Sequence, residues 1–257
     1  MPSPPAAPAP EPDTRPWVDR YRDFIHSIVP EGWTFRIRGG IGYQSSTSRS
    51  RSYSFGFEGR KNWADVNEFA MFANYDYAVE SPEHSPSYTS TEKLVASALY
   101  KRYIARENNW FVSNTLSYSY DKIKGINNQA DEIVAVGYTF KFLDGEIVLN
   151  ISTGPSVRFI NAVDYDHNWV LMGTVMEDMT WRFHKYARLE QRQSAFAGFN
   201  AMNPEEYNLI FNIGIIFEIS DLLHIAGRYS YNYDGINAAT AQKADQRLTL
   251  GFEIPLK

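Results

Sequence analysis

The sequence predicts an all-β protein: an antiparallel up-and-down transmembrane β-barrel of about twelve strands, preceded by a short helix and a Pro-rich tail. Three observations predict it. Apolar residues recur at every second position in Tyr207, Leu209, Phe211, Ile213, Ile215, Phe217 and Ile219, then in Leu223, Ile225, Tyr229, Tyr231 and Tyr233, then in Leu248, Leu250, Phe252, Ile254 and Leu256. That period belongs to pleated strands, whose side chains alternate between faces. The opposite faces carry His224, Arg228, Arg247 and Glu253, and the runs are about 10 or more residues long, which suits a barrel with lipid outside and ions inside better than a soluble sandwich. Finally, the connections alternate between polar loops (81–91, 122–131, 160–168, 196–205, 235–244) and tight turns (106–109, 144–145, 184–185, 220–221), the asymmetry of barrels with short periplasmic turns and long external loops.

In chain order, residues 1–12 are a Pro/Ala-rich tail with no means of building a core. Residues 13–31 form a short amphipathic helix, with Asp13 or Thr14 as cap, Pro16 in the first turn, Trp17, Val18, Tyr21, Phe24, Ile25 and Ile28 at helical spacing, and Pro30 as the stop. It suits the inner membrane surface, the periplasmic mouth of the barrel or an envelope partner. Residues 32–257 are the barrel.

The first nine strands are expected at 33–46, 51–62, 67–79, 92–105, 110–121, 132–142, 146–159, 169–183 and 186–195. Phe35, Ile37 and Ile41 oppose Arg36 and Arg38; Tyr53, Phe55 and Phe57 oppose Ser54, Glu58 and Arg60; Phe69, Met71, Tyr75 and Tyr77 oppose Asn74 and Asp76. The fourth strand fits least, because Lys101 and Arg102 put a cation on each face, which a bulge would explain. Val112, Leu116, Tyr118 and Tyr120, then Val134, Val136, Tyr138, Phe140 and Phe142, are clean outward rows, while Pro155 and Glu177 interrupt those of the seventh and eighth strands. An even strand count places both termini in the periplasm.

Composition narrows the function. A mean hydropathy of -0.40 goes with the absence of any apolar run long enough for a membrane helix, yet half-apolar strands allow it. With no cysteine, disulfides and thiolate chemistry are excluded, and a net charge of -5 gives nucleic acid no basic surface. The opening Met-Pro-Ser-Pro-Pro has neither a basic nor an apolar leader region, so the chain reads as a mature form.

The segment Trp110 to Phe140, with Tyr120-Asp121-Lys122-Ile123-Lys124-Gly125-Ile126 and Val136-Gly137-Tyr138, resembles the central signature of the YdiY-like salt-induced outer-membrane proteins, a domain-of-unknown-function family. Tyr229 to Asp234 through Leu248-Thr249-Leu250-Gly251 is similar to its closing hairpin, and Trp33 to Arg60 to its first. The resemblance implies a bacterial outer-membrane barrel without an established activity. Barrels of this kind end on an aromatic residue read by the barrel-assembly machinery; this chain ends Pro255-Leu256-Lys257, which leaves Phe252 to carry that signal.

The candidate functional residues are the inward-facing ions Arg36, Arg38, Glu58, Arg60, Asp76, Asp178, Arg182, Arg188, Glu190, Arg192, Arg228, Arg247 and Glu253. With both signs on neighbouring strands, ion pairs between them would fill a narrow lumen, giving a structural or envelope-associated protein. An anion-selective or small-solute pore is the alternative. A barrel-housed lipid enzyme is a weaker one, because Ser113, Ser117 and Ser119 face inward with no histidine in reach; a soluble lipid-carrying barrel is the third. The five histidines form no ligand pair, and 164–168 lacks the spacing of a calcium loop, so neither cofactor nor metal is expected. Arg49, Arg51, Arg60 and Lys61 read as scattered cations rather than a lipopolysaccharide site. The expected partners are outer-membrane lipids, the barrel-assembly machinery and an envelope component at the helix, with no nucleic acid.

Overall fold

The computed structural model describes residues 16–45, 48–64, 66–82, 86–104, 109–123, 125–163, 165–199, 207–235 and 244–256. The Pro-rich stretch 1–12 and the expected caps Asp13 and Thr14 lie outside the described residues. Helix α1 covers Trp17–Ile28, and the strands are β1 Trp33–Ser45, β2 Ser48–Trp63, β3 Asn67–Pro82, β4 Tyr88–Tyr103, β5 Trp110–Asp121, β6 Ile126–Phe142, β7 Ile147–Ala162, β8 Tyr165–His184, β9 Ala187–Gly198, β10 Tyr207–Ser220, β11 Leu223–Asp234 and β12 Ala244–Leu256. Each strand pairs antiparallel with its sequence neighbours, and β1 pairs with β12, so the sheet closes.

The closing seam depends on glycine. Gly40 stands opposite Gly251, and a Cβ on Gly251 would lie 2.3 Å from the Gly39 carbonyl oxygen. A similar close approach explains the tolerance of Pro155. At the preceding Gly154 a Cβ would meet the Val134 carbonyl oxygen at 2.0 Å, so only glycine lets β6 and β7 run this close beside a proline.

The apolar rows point outward. Leu248 and Leu250 are 64% and 67% exposed, whereas Glu253 on the other face of β12 is 0% exposed. A soluble carrier would bury those rows, so this wall is the inverse of a soluble barrel. Aromatic rings band it near both rims. Trp110 packs on Tyr138 at 5.2 Å and Trp181 on Phe183 at 5.6 Å toward the rim where the chain enters and leaves; Phe159 packs on Trp169 at 5.2 Å and Tyr207 on Tyr233 at 4.8 Å toward the far rim. Amphipathic rings settle at such levels because hydrocarbon and headgroup meet there.

Two expected loops are strand instead. β6 begins at Ile126 and β8 at Tyr165, which shortens the connections to 122–125 and 163–164. Asn128 pairs with Asn161 and Gln129 with Ile160, so the ladder continues where both faces are polar and alternation gives no signal. The fourth strand also differs from expectation. Its register shift falls beside Ser90, where Ala78 opposes Thr91 and Val79 opposes Thr89, at the end away from the cations. No bulge separates Lys101 from Arg102: Lys101 is buried inside, and Arg102 points outward near the rim, where an arginine can reach water.

Helix α1 sits at the rim that carries both chain ends. Pro16 is its N-cap residue rather than its first turn, and the Val29 N–H closes the last turn on the Ile25 carbonyl. Ile25 is 5% exposed and faces the barrel, while Trp17, Phe24 and Ile28 are exposed.

Candidate functional site

The interior has two layers with different chemistry. Near the chain-end rim, inward rows of β1, β2, β9, β10, β11 and β12 converge charged side chains. Arg36 and Arg38 come from β1, Glu58 and Arg60 from β2, Arg188 and Glu190 from β9, Glu218 from β10, His224 and Arg228 from β11, and Glu253 from β12. Their placement follows from the strand period: each lies on the parity opposite its strand's apolar row.

Glu253 is the hub. Its Oε1 accepts from Arg38 Nε at 3.0 Å and from Arg228 Nη2, and its Oε2 accepts from Arg188 Nη2 at 3.1 Å, with His224 Nδ1 3.7 Å away. Glu58 takes Arg38 Nη2 on one oxygen and Arg60 Nε at 2.5 Å on the other. Arg188 also donates to Glu190 at 2.9 Å and to Glu218 at 2.8 Å, so its guanidinium bridges three carboxylates. Multidentate guanidinium–carboxylate contacts of this kind fix geometry as well as charge.

Several contacts are chords across the lumen rather than steps along the wall. Arg36 Nη1 on β1 reaches Glu190 on β9 at 3.2 Å, and Arg188 on β9 reaches Glu253 on β12. Arg247 on β12 meets Asp76 on β3 at 2.7 Å, and Lys101 on β4 donates to Asn150 on β7 at 3.1 Å. None of these strand pairs is adjacent in the barrel. The arrangement divides the bore with paired ions.

The other predicted ions behave differently. Arg192 and Asp178 are directly opposed on β9 and β8 and pair at 3.0 Å, but they are 54% and 40% exposed, so water surrounds them. Arg182 is exposed near the chain-end rim and stands apart from the hub. The candidate set omits Glu218, Glu68, Lys101 and the buried pair Arg158–Asp131, which closes at 2.5 Å between adjacent strands, although Arg158 shares the inward parity of Asn150, Ser152 and Ser156. Row parity was the available signal for Glu218, which follows Asn212, Gly214 and Ile216 at every second position; Asp131 was hidden by its assignment to a loop.

Toward the far rim the interior is partly apolar, against the expectation of a uniformly polar lumen. Ile133, Ala135, Met172 and Phe196 are buried together, with Val170, Met176 and Ile210 packed on them. The Arg158 guanidinium lies 5.5 Å from the Phe196 ring centroid, joining this cluster to the Asp131 pair. Under α1 a cavity of about 450 Å³ is bounded by Tyr21, Arg22 and Ile25 from the helix, by Lys185 and Tyr186, and by Glu218 and His224 of the charged layer. Outside the wall, Lys122 donates to the Glu92 carboxylate at 3.0 Å, and this hydrogen bond holds its ammonium pKa above the ordinary lysine value. The described residues contain no cluster of acidic and histidine side chains fit to hold a metal ion.

Two solved outer-membrane proteins share this wall architecture. The NanC porin superposes with a TM-score of 0.51 at 9% identity, covering 86% of this chain and 98% of its own. The COG4313 outer membrane channel from Pseudomonas putida F1 gives 0.50 at 10% identity, covering 88% and 96%. At such identities the likeness shows the fold alone. No curated protein matches the sequence. The family model described as "Protein of unknown function, DUF481" matches residues 37–254, which is nearly the whole wall from β1 to β12. The chain belongs to that family, and its fold is that of an outer-membrane β-barrel.

Proposed function

We propose that this protein is a non-conducting outer-membrane barrel, structural or envelope-associated, whose bore is sealed by the ion-paired layer and whose termini lie in the periplasm. The observation that carries this reading is Glu253: fully buried, it gathers guanidinium groups from β1, β9 and β11 onto one carboxylate in the bore. Arginine rings that conduct anions leave their charges facing water; here each guanidinium of the hub is met by a carboxylate. The even strand number, with the two longest connections, 199–206 and 235–243, at the opposite rim, supports a periplasmic chain-end rim. Outer-membrane lipids would contact the exposed rows, and the barrel-assembly machinery would read the last strand.

Planar-bilayer recording tests the seal. The unaltered protein should insert without a steady ohmic current, and the double variant Glu253→Ala, Arg188→Ala should conduct. A stable current from the unaltered protein would reject the seal. Arg36, Arg38, Arg60, Arg188 and Arg228 outnumber Glu58, Glu190, Glu218 and Glu253 by a single charge, which favours anion selectivity as the second reading. In that case reversing Arg228 and Arg247 to Glu should shift the reversal potential toward cations.

A further inference from the structure

The outward row of β8 runs from Trp169 to Trp181 through Leu171, Gly173, Val175, Glu177 and Met179. Glu177 therefore sits between the two aromatic levels, inside the apolar band. Gln191 Nε2 donates to its Oε1 at 3.1 Å and Gln193 Nε2 to its Oε2 at 2.5 Å. These glutamines share the outward row of β9, which continues through Ala195 and Ala197 to Phe199 just past the strand, whose ring lies beside Gly173 of β8; between Leu189 and Phe199 the row holds no ring or long aliphatic side chain. The next strand has Phe211, Ile213, Ile215 and Phe217 on its outward row. The wall thus recedes along β9 between bulkier neighbours, and the floor of the recess is a carboxylate with two carboxamides. Polar groups at bilayer depth are costly against acyl chains and are normally turned inward or covered.

We propose that a second copy of this chain covers this strip, packing β9 against β9 in an isologous dimer. The chemistry of the strip selects that partner. A carboxamide both donates and accepts, so Gln191 and Gln193, each with hydrogen-bonding capacity beyond the bond to Glu177, pair with their own two-fold images; a lipid chain offers them nothing. Small residues beside the glutamines allow two walls to approach, as they do where membrane segments associate. The inference rests on the wall lying in lipid, but not on whether the bore conducts.

Because the sequence has no cysteine, a single introduced thiol reports contact cleanly. Ala195→Cys, otherwise unaltered and in native membranes, should give under a short bis-maleimide a product of twice 29.5 kDa. Leu250→Cys on the β12 wall should give none. Adding Gln191→Leu and Gln193→Leu to Ala195→Cys should lower the cross-linked fraction about tenfold, the effect of one or two polar contacts between membrane segments. Heat-dependent gel mobility of the same samples shows whether each variant is a folded, inserted barrel. Loss of that mobility in the unaltered chain would sink the membrane reading. A folded barrel that gives no doubled product, equal labelling at Leu250, or a product of another mass would sink the dimer alone. The Ala195 and Leu250 comparison decides the matter even if the leucine variant fails to fold.

Discussion

The two halves of the barrel interior hold together by opposite means. Near the chain-end rim, Glu253, Glu58, Arg38 and Arg188 form a network in which every member needs its partners at defined angles. Toward the far rim, Met172, Phe196, Ile133 and Ala135 are held mainly by apolar contact, with the Arg158–Asp131 pair at their edge. The difference teaches which half tolerates substitution. An apolar cluster that loses a methyl group can partly collapse, whereas a buried carboxylate that disappears leaves three guanidinium groups facing one another in a confined space.

The largest effect should therefore come from Glu253→Ala, a loss of about 4 kcal/mol in unfolding free energy, read from the urea midpoint in lipid vesicles. If that midpoint does not move, the layer is hydrated and idle, and the contrast between halves fails. Met172→Ala should cost about 3 kcal/mol, because Met172 is 0% exposed and its removal opens a cavity. A Met172 variant less stable than the Glu253 variant would reverse the order and make packing the stronger half. Lys122→Ala should leave the midpoint where it was. Its pair with Glu92 has a lysine side chain 69% exposed, and water and salt screen such contacts. A clear shift there would mean that the far-rim turn is part of the network after all.

The wall was readable in the sequence wherever one face met lipid. Rows such as Leu209, Phe211 and Ile213 alternate because the membrane permits nothing else on that side. Legibility failed where the constraint lapses. Asn127, Asn128 and Gln129 are polar on both faces, so the strand they continue looks like loop, and Ile133 and Met172 are apolar on the inward face, where polar residues were expected. The identity of the interior ions was visible by parity, but their partners were not. Arg38 opposite Glu253 follows from neighbouring register; Arg36 to Glu190 is a chord, and chords depend on how a closed sheet curves back on itself.

One feature of the hub bears on how the molecule is made. The carboxylate that gathers three guanidinium groups belongs to β12, the last strand, while its donors wait on β1, β9 and β11. Until that final segment arrives, the sheet has two open edges, and Arg38 and Arg188 have only their contacts to Glu58, Glu190 and Glu218 while Arg228 waits for the shared carboxylate. Its docking closes the cylinder and brings in the carboxylate that Arg38, Arg188 and Arg228 share, with Glu253 acting as a keystone. A barrel without β12 would lack the closing seam and this shared carboxylate at once, and would be an open sheet rather than a slightly smaller barrel.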